Sequence, residues 1–137
     1  MNGQKIAFRV IVGLLGLIVI YSGIDTAFGG FNTLGLQGLP QVWEVTDQAA
    51  FDIVDSHQRL RGGVWLGVGL IMLFGVIRWD IKILQVAFFL TIVGGISRLS
   101  QGRFDIIFGA VLMVVIIELV ITPLLWVWST RLNPAAA

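Results

Sequence analysis

Leu60-Arg61-Gly62-Gly63-Val64-Trp65-Leu66-Gly67-Val68-Gly69-Leu70-Ile71-Met72-Leu73-Phe74-Gly75-Val76-Ile77 carries no charge between Arg61 and Arg78. A helix needs about 20 apolar residues, range ~17–25, to cross ~30 Å of hydrocarbon, so this run spans a bilayer if it tilts little or continues beyond it. Upstream, Thr46 and Asp47 offer an N-cap followed by an acid in the first turn, and no Pro intervenes before Ile77. A single helix over 47–77 is therefore expected, with a solvated first third and a membrane part over 60–77. In that first third Asp55 precedes Arg59 by four residues, the favourable order for a helical ion pair.

Three further apolar runs flank this one, and they predict helices over about 5–24, 81–99 and 104–128. Lys5 and Arg9 open the first with their stems along the helix and their heads at the interface. A basic start before an apolar run is also the signature of a signal peptide, but no A-x-A-like cleavage site follows. The links at 78–80 and 100–103 are short, so neighbouring helices must run antiparallel. Between the first two helices, residues 25–45 include Phe28, Phe31, Leu34, Leu36, Leu39, Val42 and Trp43. Such a loop is too apolar for a solvated linker and is expected to fold onto the end of the bundle, with Trp43 at headgroup depth.

Composition agrees with a bilayer. Of 137 residues 57% are hydrophobic and 12% charged, against about 25% charged in ordinary globular chains. The formal net charge of +1 gives no basic stripe for nucleic acid. With no Cys and one His, thiolate zinc, iron–sulfur clusters and bis-imidazole haem are excluded. The fold class is an all-α integral membrane four-helix bundle in a single domain over residues 1–137. With the N-terminus cytoplasmic, Lys5, Arg9, Arg78, Lys82 and Arg131 fall inside, and Arg59, Arg61, Arg98 and Arg103 outside. The basic flank of the first helix then favours both termini inside.

Two polar features exceed what plain spanning helices need. At the outer mouth, helix ends should bring together Tyr21, Asp25, Asp52, Asp55, His57, Arg59, Arg61, Arg98, Arg103 and Asp105. Acids neutralising arginines are the first explanation of the cluster; a pocket for an anionic or polar headgroup is the second, since guanidinium suits bidentate phosphate or carboxylate. Arg61 and Arg98 are expected to share Asp25 or a headgroup as counter-charge. The second feature is Glu118, roughly 21 Å along the helix from Phe104 and 14 Å from Val127 at ~1.5 Å per residue. An acid so placed should face the bundle, either paired, with Arg9 the nearest base in depth, or serving as a proton carrier. Thr122 lies one turn on, and Pro123 leaves the helix a hydrogen bond short there.

Gly63-x-x-x-Gly67, together with Gly94 and Gly95, provides flat patches for close helix packing, in this chain or against another. His57 is expected to be solvated or ion-paired rather than a ligand. No nucleophile–base pair, phosphate loop or carboxylate pair at useful spacing is present, so no catalytic residue, metal ligand or cofactor is assigned.

The segments Ser56-His57-Gln58-Arg59-Leu60-Arg61-Gly62-Gly63-Val64-Trp65-Leu66-Gly67-Val68-Gly69-Leu70 and Gly94-Gly95-Ile96-Ser97-Arg98-Leu99-Ser100, with the late Glu118, resemble the family called domain of unknown function 4345. That resemblance covers nearly the whole chain and implies a four-helix bundle in a bacterial inner membrane, with no activity attached. A looser likeness to the DoxX and DoxD group rests on helix count and polarity. Some of its members are associated with quinone-linked oxidoreductases. The expected function is a non-enzymatic accessory or interaction subunit among membrane lipids, with a membrane-protein partner or a second copy. The alternatives are a redox component holding a quinone or lipid-like molecule, and a proton-coupled transporter.

Overall fold

The structure is a computed structural model that describes residues 3–32, 45–100 and 112–132. Four helices account for nearly all of them: α1 (Gly3–Gly29), α2 (Gln48–Arg78), α3 (Ile81–Leu99) and α4 (Leu112–Leu132). All four are long and apolar enough to cross a membrane, and no strand occurs among the described residues. The cap expected from 33–44, the expected start of the fourth helix at Phe104, and Arg103 and Asp105 lie outside the described residues.

Local chemistry sets the helix ends. Asp47, rather than Thr46, is the N-cap of α2, its carboxylate accepting from the Ala50 amide at 3.1 Å. Asp80 caps α3 by accepting from the amides of Lys82 and Ile83. Between them Trp79 adopts the left-handed conformation, φ 55°, that closes α2, and the amides of Trp79 and Asp80 both donate to the Gly75 carbonyl. Two residues thus reverse the chain, which forces α2 and α3 antiparallel. The first helix runs past the expected Ile24 to Gly29 and ends in a 3₁₀ turn, Gly30–Asn32. At Gly30 φ is +62°, and a Cβ would collide with the Asp55 carboxylate.

The helices close a ring in which α1 meets α2 and α4, and α3 meets α2 and α4. The contact between α1 and α2 is the most extensive, because glycines let the backbones meet. A Cβ on Gly62 would fall on the backbone of Thr26 and Ala27, one on Gly23 on the backbone of Leu66, and one on Gly69 on Ile20 and the Gly16 carbonyl. The expected packing pair is different: Gly63 and Gly67 have nothing within 4 Å of an added Cβ. The seam runs one residue to the side, because α1 lies against Gly62, Leu66 and Gly69, whose spacing of four and three keeps one face. At the opposite end of the bundle Phe8, Trp79, Phe88 and Trp128 interlock, with Phe8 edge-on to the other three rings at 5.3–6.5 Å. Met72, Leu84, Ala87 and Leu125 extend this core.

Candidate functional site

Arg98 sits in the last turn of α3 and Glu118 in α4, and antiparallel packing brings them together. The Arg98 Nε donates to both carboxylate oxygens of Glu118, at 2.9 and 3.2 Å. Glu118 is 3% exposed. Gly95, one turn before Arg98, makes the approach possible, since a Cβ there would meet Glu118 and Leu119. The expected base, Arg9, is committed elsewhere: it lies at the other end of the bundle, donating from Nε and Nη2 to the carbonyls of Val76 and Ile77. Depth counted along α4 alone pointed to Arg9, whereas the partner is set by which helix end lies beside Glu118.

Around Glu118 the helix widens into a π turn, Ile117–Ile121. The ring of Pro123 would strike the Leu119 carbonyl in a regular helix, and an extra residue in the turn before it relieves that contact. Ile117 then accepts from both the amide and the Oγ1 of Thr122, the latter at 2.7 Å. Such turns are frequent at functional positions.

Arg61, on α2, faces the same region and is exposed. It feels the like charge of Arg98 and the opposite charge of Glu118. Among the described residues the Arg61 side chain forms no hydrogen bond or ion pair. Between α2 and α3 lies a cleft of about 310 Å³ lined by Arg61, Val64, Trp65, Val68, Leu90, Val93, Gly94, Ser97 and Arg98. Its walls are largely apolar, and Arg61 and Arg98 line its mouth. Trp65 packs on Gly94, where an added Cβ would come within 3.0–3.1 Å of the indole.

The remaining residues of the expected outer cluster divide between two places. Asp55 and Arg59 pair at 2.6 Å and bind the end of α1: Asp55 accepts from the Phe31 amide at 2.7 Å, and Arg59 donates to the carbonyls of Phe28 and Gly29. Those bonds hold the Asp55 carboxyl below the usual carboxylate range, the Phe31 amide contributing most and Arg59 next. His57 and Asp52 are exposed beside them. Asp25 is fully buried on α1 and Tyr21 is largely exposed; neither lines the cleft. The carboxylate paired with Arg98 is therefore Glu118, where Asp25 or a headgroup was the expected counter-charge. Trp65 and Ser97 were not singled out from sequence, although their place four residues after Arg61 and one before Arg98 was a usable signal. No group of three or more metal-ligating side chains occurs among the described residues.

A bundle of four membrane-length helices is thus the class of protein. The family model described as domain of unknown function (DUF4345) matches residues 7–129, and the chain belongs to that family. No curated protein and no solved structure matches it.

Proposed function

We propose that the protein is a non-enzymatic accessory or interaction subunit of the bacterial inner membrane, both termini cytoplasmic, whose α2–α3 cleft holds a polar-headed, lipid-soluble molecule. The observation that carries this reading is the cleft itself. Its volume of about 310 Å³ falls at the lower end of the ~300–1,000 Å³ usual for small-molecule sites, and apolar walls beneath a polar mouth suit an amphiphile entering from the bilayer. Quinone-like and lipid-like occupants both satisfy that shape. Purification from native membranes in mild detergent, followed by mass spectrometry of co-purifying lipids and proteins, tests it. A lipid-soluble molecule should accompany the wild type and be lost from Val93→Trp, which fills the half-exposed side of the cleft. Equal retention by both would count against the cleft.

Proton-coupled transport is a second reading, favoured by the buried Glu118 in a π turn beside Pro123. Proteoliposomes in which Glu118→Gln takes up protons as fast as wild type would dismiss it.

A further inference from the structure

We propose that the α2–α3 cleft selects amphiphiles with an anionic head, a phosphate or a carboxylate, over neutral and zwitterionic ones. This rests on the reading that the cleft holds an amphiphile and adds what its head must be. Charge at the mouth carries the inference. Arg61 and Arg98 both line it, and arginine keeps its proton in proteins. Glu118 is the acid whose charge acts on both, so among the described residues two positive charges face one negative and a single positive charge is left over. The free donors lie on the same side. Arg98 spends only Nε on Glu118, and among the described residues neither its terminal nitrogens nor any guanidinium nitrogen of Arg61 has an acceptor. Ser97 adds no donor, because its hydroxyl is given to the Gly94 carbonyl at 2.7 Å.

A planar, doubly donating cation beside a second one matches two oxygens of a phosphate or carboxylate. A quinone carbonyl would accept a hydrogen bond but leave the charge uncompensated, and a choline ammonium would meet repulsion. Below the head, Val64, Val68, Leu90 and Val93 present aliphatic surface for the start of a chain, with Trp65 flanking it.

Trp65 gives the test its reporter. The full chain is placed in nanodiscs with phosphatidylglycerol, oleate, phosphatidylcholine or a long-chain quinone, each brominated on the chain. Quenching of the Trp65 emission is taken as the difference between wild type and Trp65→Phe. Phosphatidylglycerol or oleate should quench at roughly tenfold lower mole fraction than phosphatidylcholine or the quinone, the scale of one charge-assisted contact. Whichever of the two anions acts at the lower fraction assigns the head to phosphate or to carboxylate. Arg61→Gln should abolish the preference with helicity unchanged, since the Arg61 side chain bonds no other group among the described residues, and Arg61→Lys should keep part of it. Equal quenching by zwitterionic and anionic lipid, or a preference unaltered in Arg61→Gln, would overturn anion selection while leaving the cleft occupied. Absence of Trp65 quenching by every brominated molecule would overturn the occupied cleft as well.

Discussion

Glu118 is the residue where sequence said most and least. Its burial follows from elementary cost: an acid inside a spanning helix must turn toward protein. Its partner does not follow, because Arg98 is twenty positions away on another helix and only the packing of α3 on α4 through Gly95 brings the two together. A buried pair of this kind is costly to break from one side, since the survivor stays desolvated. With Arg98 still 29% exposed, Arg98→Gln and Glu118→Gln should each lower unfolding free energy by about 1–3 kcal/mol. The double variant should lose less than the sum, by about 0.5–3 kcal/mol. Reversible unfolding in mixed micelles measures the cycle, and strictly additive losses would mean the contact contributes nothing. Asp55 gives a pH counterpart outside the membrane. Its folded pKa lies below that of an ordinary aspartate, about 3.9, so its stabilisation is complete above that ordinary value and is lost as pH falls through the lower, folded one. Hydrogen-exchange protection of the Phe31 amide should therefore collapse on acidification below about pH 4, and Asp55→Asn should remove that pH dependence.

At the level of elements, α1 and α2 are fastened to each other at both ends by the same device. Arg59 of α2 donates to the last carbonyls of α1, and Arg9 of α1 donates to the Val76 and Ile77 carbonyls near the end of α2. Those carbonyls have no partner within their own helix, and in a bilayer an unmet one is costly, so each arginine completes the other helix. Sequence showed the Asp55–Arg59 spacing but not this reciprocity, because the carbonyl being capped carries no mark in the sequence. The glycine seam was misplaced for a related reason. Gly63 and Gly67 fit the familiar four-residue spacing, yet Gly62 and Gly69, seven apart, share a face too, and only the path of α1 chooses between them. Gly62→Ala should cost about 1–3 kcal/mol, as overpacking does, because its Cβ would meet backbone that cannot rotate away. Gly63→Ala, with open space beside it, should stay within about 0.5 kcal/mol of wild type. Thermal unfolding of the two variants side by side decides it, and a reversed order would place α1 on the other face of α2.

Across the whole molecule the two ends of the bundle are chemically unlike, and the difference bears on how it sits in a membrane. One end carries Lys5, Arg9, Arg78, Lys82 and Arg131, with Lys5 and Arg9 over the Trp79 ring at 5.5 and 5.8 Å and Arg78 over that of Phe74 at 5.7 Å. Indole and long basic side chains together are what the headgroup region favours. The other end carries Arg59, Arg61 and Arg98, but Asp55 and Glu118 pair with two of them. A count of five basic residues against four made orientation nearly even in sequence. Pairing sharpens it, because at the first end Asp80 is spent on the α3 amides and neutralises none of the basic residues by an ion pair among the described residues, which favours anionic cytoplasmic lipid there. The Asp47 end should then face outward, with both chain termini inside. The absence of native cysteine allows a direct measurement on the full chain. A cysteine replacing exposed Gln48 should react with an impermeant maleimide in intact cells, while one replacing exposed Arg131 should react only after lysis. The opposite pattern would invert the protein and place the guanidinium-mouthed cleft in the cytoplasmic leaflet, where its head would be drawn from the inner lipid pool.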